Sequence, residues 1–143
     1  MLNSETATQN PLVSIVDDDA SVRNSTGRLV RSFGFRAEVF GSAREFLTYG
    51  HPATTACLLL DLRMPEVDGL ELQRHLTDTH HHIPIVFISG NADITDEFRA
   101  TNAGAVDFLR KPVSANILAD VIQTALRLHF DGGTQAPDLP LRE

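Results

Sequence analysis

The sequence predicts an α/β fold, a doubly wound five-stranded parallel sheet with five helices. One observation is the unbroken apolar run Cys57–Leu60, because strands without alternation are typical of parallel sheets covered by helices on both faces. A second observation is that four further short apolar or alternating runs are interleaved with segments at helical spacing. A third is the length of 143 residues, which accommodates one domain with a core and is too short for two.

The first half of the chain predicts two strand and helix pairs. Leu12–Val16 is a short β-branched run, typical of a strand. Ala20–Phe33 carries apolar residues near helical spacing and is followed by a glycine, a natural helix stop. Arg36–Phe40 alternates polar and apolar residues, which fits an edge strand, and Ser42–Tyr49 predicts a short helix capped by its serine.

The second half continues the same alternation after the Cys57–Leu60 strand. The predicted elements are a helix at Gly69–Leu76, a strand at Ile85–Ile88, a helix capped by Asp93 or Thr95 and ending at Asn102–Gly104, a strand at Val106–Leu109, and a helix opened by Ser114. This last helix is the longest amphipathic segment. Its predicted apolar face consists of Ile117, Leu118, Val121, Ile122, Ala125 and Leu126.

Composition places the folded domain at residues 12–130. Residues 1–11 are expected to form a disordered leader, and residues 131–143 have the composition of a linker toward an output domain missing here. No run approaches the roughly 18 apolar residues of a membrane span, and the start lacks a signal peptide, so we expect a cytoplasmic protein without membrane contact. The single cysteine, Cys57, is predicted to be a core residue.

The charge of the chain excludes one class of partner. The formal net charge is -7, whereas affinity for nucleic acid depends on Lys and Arg contacts to phosphates. We therefore expect no direct nucleic-acid binding by this domain. The acidity favours a cation as ligand.

Three carboxylates are predicted to meet at one edge of the sheet. In the strand order 2-1-3-4-5 of this kind of fold, strands one and three are neighbours, and ligands bind beyond their carboxyl ends. Those ends carry Asp17, Asp18 and Asp61. Carboxylates brought together repel one another unless a cation or a proton intervenes, and Mg²⁺ suits a few oxygen ligands better than Ca²⁺ does. Asp19 is explained more simply as a residue at a helix N-terminus.

Two further polar residues follow the other strands of the predicted sheet. Ser89 ends the fourth strand and Lys111 follows the fifth, where a hydroxyl and an ammonium group can bind phosphoryl oxygens. Taken singly, Asp61, Ser89 and Lys111 are each better explained as loop, turn and surface residues. Together they predict a phosphoryl acceptor with a carboxylate nucleophile, Mg²⁺, a hydroxyl donor and a cationic clamp.

The ordered motifs of the chain resemble the receiver domain of two-component response regulators. The resemblance covers roughly residues 12–130 and is most similar to the FixJ type, whose members usually carry a LuxR-type DNA-binding domain after a linker. It implies a flavodoxin-like fold. The matching motifs are Ile15-Val16-Asp17-Asp18-Asp19, Leu60-Asp61-Leu62-Arg63-Met64-Pro65, Asp68-Gly69-Leu70-Glu71, Ile88-Ser89-Gly90, Gly104-Ala105-Val106-Asp107-Phe108 and Lys111-Pro112.

The resemblance implies a role for each acidic residue of the site. Asp61 would accept a phosphoryl group from a phosphohistidine on a sensor histidine kinase. Asp18 would bind Mg²⁺ directly, Asp17 mostly through water, and the backbone carbonyl of Arg63 would supply a further ligand, with Mn²⁺ as a substitute metal. The domain itself would catalyse only its own phosphorylation from phosphodonors and its own dephosphorylation.

The resemblance also implies a switch. Ser89 and Phe108 would form the switch pair, in which the hydroxyl moves toward the phosphoryl group and the ring swings inward. This change would reshape the face of helix four, strand five and helix five. The family often pairs as homodimers through helix four and strand five. Val113 follows Lys111-Pro112, where the family often has Phe. Arg63 and Asn91 occupy positions at which the side chain varies with the lifetime of the aspartyl phosphate.

Four alternatives are weighed against this interpretation. His80-His81-His82, with His75 nearby, are predicted to form a solvated loop, because adjacent histidines do not easily converge on one metal ion. A phosphatase of the haloacid-dehalogenase type would carry a second Asp where Arg63 stands. A flavodoxin would need a phosphate-binding first loop, which Asp17–Asp19 would repel. The remaining alternative is a stand-alone receiver that docks to a protein target.

Overall fold

The computed structural model describes residues 10–135, with side chains described through Phe130. Apart from its last two residues, the predicted leader at residues 1–11 lies outside the described residues. Residues 136–143 of the predicted tail lie outside them as well.

Five parallel strands form one sheet in the order β2-β1-β3-β4-β5, which confirms the predicted fold class and strand order. β1 and β3 are direct neighbours, and Val16 lies beside Leu60 where both strands end. Because all strands run the same way, their carboxyl ends lie at one edge of the sheet. The strands are β1 (Leu12–Val16), β2 (Arg36–Phe40), β3 (Thr55–Leu60), β4 (Ile85–Ser89) and β5 (Asp107–Arg110).

Within residues 10–135, four α-helices connect the strands and a fifth follows β5, and most of them begin at a side-chain cap. Asp93 rather than Thr95 caps the fourth helix, and it forms a reciprocal capping box with Asp96. Within residues 10–135, no helix combines the length and the hydrophobicity that a bilayer crossing requires. The helices are α1 (Ala20–Ser32), α2 (Ala43–Tyr49), α3 (Gly69–Asp78), α4 (Ile94–Asn102) and α5 (Ala115–Gln135), and a short 3₁₀ helix (Pro52–Thr54) precedes β3.

The core has two layers, one on each face of the sheet. Alternate residues of β3 enter different layers, Leu58 and Leu60 on one side and Cys57 and Leu59 on the other. α2, α3 and α4 pack on the first face, and α1 and α5 pack on the second. Burial on both faces explains why β3 lacks polar alternation. Cys57 is fully buried, and burial raises the pKa of its thiol to about 12, so it is a core residue as predicted.

Two details of α5 differ from the sequence prediction. Ile117 was expected on the apolar face but is 52% exposed, whereas Leu118 and Ile122 are buried. One position along a helix rotates a side chain by about 100°, so Ile117 falls off the stripe that faces the sheet. The helix also continues to Gln135, past Asp131 where the tail was expected to begin.

Candidate functional site

The ends of β1 and β3 place the acidic residues side by side. The amide of Asp61 donates to the carbonyl of Val16 at 2.9 Å, which extends the strand pairing by one residue beyond β3. The amide of Asp17 likewise donates to the carbonyl of Phe40 at 3.1 Å. The two carboxylates are therefore held by the sheet edge itself. Asp19 caps α1 by accepting from the amides of Ser21 and Val22, in keeping with its predicted place at a helix N-terminus.

Asp17, Asp18 and Asp61 converge as predicted. Each offers a carboxylate oxygen within 4.8 Å of the others, and no other group of three potential metal ligands meets this criterion within the described residues. Asp17 and Asp61 are buried, at 4% and 7% exposure, while Asp18 is exposed. An all-oxygen donor set with one solvent-facing member fits a hard divalent cation that keeps part of its hydration shell.

Asp61 shows the electrostatic consequence of this crowding. Its pKa is raised to about 6, mainly because burial disfavours the charged carboxylate and because the charge of Asp17 lies close. Lys111 lowers the pKa of Asp61 but does not compensate fully. The site therefore has an excess of negative charge that one added cation would neutralise. These residues fit Mg²⁺.

Lys111 reaches the carboxylates from the end of β5. Its Nζ donates to Oδ2 of Asp17 at 3.0 Å and lies 3.6 Å from Oδ2 of Asp61. Burial lowers the pKa of Lys111, but the hydrogen bond to Asp17 and the charges of Asp61 and Asp17 outweigh it, so the pKa lies above its usual range. Lys111 is thus a fixed cation at the site. The peptide bond between Lys111 and Pro112 is cis.

Ser89 lies at the carboxyl edge of the sheet, and Phe108 lies two positions further back, within β5. Ser89 ends β4, the strand beside β3, and its buried hydroxyl accepts a hydrogen bond from the amide of Asn91 at 3.2 Å. Phe108 is 8% exposed and stacks on Phe87 with ring centroids 5.8 Å apart. Its ring is therefore already inside the protein in this structure.

Two contacts near the site had no signal in the sequence. The side chain of Arg63 pairs with Asp96, thirty-three positions further along the chain, and its Nε donates to the carbonyl of Asn91 at 3.4 Å. The second is a close backbone approach at Gly69, where a Cβ would lie 2.5 Å from the carbonyl oxygen of Asp61. A side chain at this position would clash with the backbone, so a glycine allows the start of α3 to approach the backbone of Asp61.

His80, His81 and His82 lie in the turn and loop that follow α3. His80, His81 and His82 belong to no ligand cluster among the described residues, and His81 instead shares a hydrogen bond with the hydroxyl of Thr79. His80 and His82 are exposed. The exposure of His80 and His82 agrees with the predicted solvated loop.

Several known proteins are similar to this chain in sequence or in fold. The family model described as response regulator receiver domain matches residues 13–123. Response regulator protein TmoT of Ectopseudomonas mendocina is 43% identical over 131 residues, 92% of this chain and 60% of that protein. Transcriptional regulatory protein FixJ of Rhizobium meliloti (strain 1021) is 37% identical over 113 residues, 79% of this chain and 55% of that protein. A solved structure of response regulator StyR is 43% identical with a TM-score of 0.81 and covers 89% of this chain and 64% of that one.

Proposed function

This chain belongs to the response regulator receiver domain family, and from that membership we propose that it is a phosphoacceptor signalling switch. Asp61 takes a phosphoryl group from a phosphohistidine on a sensor histidine kinase. The observation that carries this proposal is the convergence of Asp17, Asp18 and Asp61 with the ammonium of Lys111 at one sheet edge. We expect the exchange to take place in the cytoplasm.

Asp61 is the nucleophile in this proposal. One carboxylate oxygen forms a bond to phosphorus, the N–P bond of the phosphohistidine breaks, and the imidazole leaves with the electron pair and takes up a proton. Mg²⁺, or Mn²⁺ in its place, neutralises charge on the carboxylate and phosphoryl oxygens when it is bound. Asp17, Asp18, Asp61 and the backbone carbonyl of Arg63 would hold it. In this proposal the domain turns over no separate substrate, and it catalyses only its own phosphorylation and dephosphorylation.

Lys111 and Ser89 bind the transferred group. The ammonium of Lys111 is already 3.6 Å from Asp61, close enough to pair with a phosphoryl oxygen on that residue. The hydroxyl of Ser89 must turn away from the amide of Asn91 to donate to another phosphoryl oxygen. These two residues stabilise the same charge that develops during transfer.

Phosphorylation changes the face formed by α4, β5 and α5. Ser89 and Phe108 are the switch pair in this proposal, and both side chains are buried in the structure. α4 exposes Ile94 at 80% and Phe98 at 66%, a pair of apolar side chains one turn apart. Such a pair suits a phosphorylation-linked homodimer through α4 and β5.

We propose transcription as the output. The chain spans 60% or less of the length of TmoT and FixJ, and FixJ is described as a transcriptional regulatory protein. The net charge of -7 does not suit direct contact with DNA. A LuxR-type DNA-binding domain in a longer natural protein would supply that contact.

Acetyl phosphate with Mg²⁺ tests the proposal directly. We expect one phosphoryl group to be added per chain, in a form that is stable to acid and labile to base, because an aspartyl phosphate is a mixed anhydride. Intact mass spectrometry before and after treatment measures it. Asp61→Asn is the matched variant and should gain no mass, since the amide is not a nucleophile.

Two outcomes would count against the proposal. An unchanged mass of the wild-type chain in the presence of Mg²⁺ would contradict phosphoacceptor function. Equal mass gain in the wild type and in Asp61→Asn would show that another residue is the acceptor.

A further inference from the structure

The side chain of Arg63 joins the phosphoacceptor loop, residues 61–68, to the start of α4. It pairs with the carboxylate of Asp96, whose side chain is only 6% exposed. The Asp96 oxygen that Arg63 contacts also accepts a hydrogen bond from the backbone of Asp93 at 3.1 Å. A buried carboxylate that loses its cation is strongly destabilised, so this pair resists separation.

A second arginine, Arg110, also contacts the start of α4, but its ion pair is more exposed to solvent. Arg110, from the end of β5, donates to the carbonyl of Ala92 at 2.8 Å and pairs with Glu97 at 2.9 Å. Both side chains of this pair are nearly half exposed, at 47% and 46%, so water and salt screen their attraction. Among the residues that the structure describes, Arg110 forms no hydrogen bond or ion pair with residues 61–68.

The loop between β4 and α4, residues 90–93, connects these contacts to the switch serine. The amide of Asn91 donates to the hydroxyl of Ser89, and the carbonyl of Asn91 accepts from Nε of Arg63. Any movement of Ser89 toward a group on Asp61 breaks the first of these bonds. Arg63 holds the same peptide segment in place through the second bond and through Asp96.

We infer that the Arg63–Asp96 ion pair is a latch that holds residues 90–93 and the start of α4 in the arrangement in which the amide of Asn91 binds the hydroxyl of Ser89. The latch limits the rate at which Asp61 gains a phosphoryl group and the freedom of α4 to move. Arg63 and Asp96 act through the loop and are positioning residues. The inference rests on the proposed function, since it assigns regulation to the same site.

Hydrogen exchange without Mg²⁺ or phosphodonor tests the mechanical part. Asp96→Asn and Glu97→Gln remove the same charge at adjacent positions of α4, so they form a matched pair. Asp96→Asn should accelerate amide exchange at residues 91–97 by about tenfold or more, because the local opening loses a part-buried contact. Glu97→Gln should stay within about twofold of the wild type, because its ion pair is exposed.

Phosphorylation kinetics test the regulatory part. With acetyl phosphate and saturating Mg²⁺, Asp96→Asn should be phosphorylated about threefold or more faster than the wild type, because the reactive arrangement becomes more populated. Calorimetric titration should give an unchanged Kd for Mg²⁺ within about twofold, since no metal ligand is altered. Damage to the fold would lower the rate rather than raise it, so the direction separates the two causes.

A second variant separates the loss of the ion pair from the loss of the α4 capping box. Asp96 also takes part in the capping box, whereas Arg63→Gln breaks the same pair from its exposed side and keeps the Arg63 backbone position. Arg63→Gln should change amide exchange and phosphorylation rate in the same direction as Asp96→Asn. Equal exchange in Asp96→Asn and Glu97→Gln, or equal phosphorylation rates in both, would overturn the latch.

The failure of the proposed function has a different signature. A wild-type chain that gains no phosphoryl group would overturn phosphoacceptor function, while faster exchange confined to Asp96→Asn and Arg63→Gln would still support the mechanical latch. Normal phosphorylation with no difference between variants would leave the proposed function standing and overturn the latch alone.

Discussion

At the scale of single residues, burial and charge act against each other at Asp61. The carboxylate is 7% exposed, stands beside Asp17 and is only partly balanced by Lys111. Its pKa of about 6 in the folded chain exceeds the ordinary value of 3.8. The folded state therefore binds the proton more tightly than the unfolded state does, and ionisation of Asp61 opposes folding.

Asp61→Asn should stabilise the metal-free protein near neutral pH. Ionisation of Asp61 lowers the free energy of unfolding as pH rises from 3.8 to about 6, and the full penalty remains above that range. The variant should gain about 1 to 2 kcal/mol at about pH 7.5, an amount reduced by the solvent that reaches the crevice, and much less near pH 4. Urea unfolding at both pH values measures it.

The control for this prediction is the same pair of proteins with Mg²⁺ present. A bound cation removes the repulsion in the wild type and binds the variant less well, so the advantage of Asp61→Asn should shrink. A variant that is less stable than the wild type at neutral pH without metal would show that the Asp61 charge supports the fold.

At the scale of elements, α5 shows that the contribution of an apolar side chain to the free energy of unfolding depends on its burial. Ile117 and Ile122 are the same residue type in one helix, yet the first is 52% exposed and the second is fully buried. Ile122 packs in the layer with Val13, Val86 and Leu118. Because both residues are isoleucines in one helix, substitutions at the two positions change helix propensity equally and differ only in the buried area that they remove.

Ile122→Ala should destabilise the domain by about 2 to 4 kcal/mol, because it removes buried methyl groups and leaves a cavity. Ile117→Ala should change the free energy of unfolding by less than about 0.5 kcal/mol, because its side chain already faces solvent. Thermal or urea unfolding measures both. Similar losses at both positions would mean that α5 packs on the sheet with a different rotation.

At the scale of the whole molecule, metal binding and folding are linked. The three carboxylates come from strand ends that only the folded sheet brings together, so the unfolded chain has no comparable site. A ligand that binds only the folded state stabilises it by about 2.7 kcal/mol at a hundredfold excess over its Kd.

Mg²⁺ should therefore raise Tm, and the effect should depend on pH. At about pH 7.5 Asp61 is ionised and ready to bind, whereas at about pH 5 it must first lose a proton, which weakens binding about tenfold per pH unit below its pKa. Scanning calorimetry with and without Mg²⁺ at both pH values measures the shift. KCl at matched ionic strength controls for screening, and an equal shift at both pH values would contradict the role of Asp61.

The core strands were predictable because burial on both faces leaves an unambiguous pattern. β3 lacks polar alternation over its whole length, and the carboxylate that follows it could be placed at the sheet edge from the order of strands alone. The side chains that a helix buries were harder to predict than its position in the chain. Ile117 fits the apolar spacing of α5, but only the packing of that helix shows that the side chain points to solvent.

By itself, the sequence determined the alternation of five strands and five helices, because local apolar patterns mark each element. The strand order expected for this kind of doubly wound fold then predicted that Asp17, Asp18 and Asp61 meet at one edge of the sheet. Only the tertiary structure decided the pairing of Arg63 with Asp96, the close approach of Gly69 to Asp61 and the buried position of the Phe108 ring. These contacts join residues far apart in the chain through side-chain direction and helix placement. Such features follow from packing in three dimensions and leave no periodic trace in the sequence.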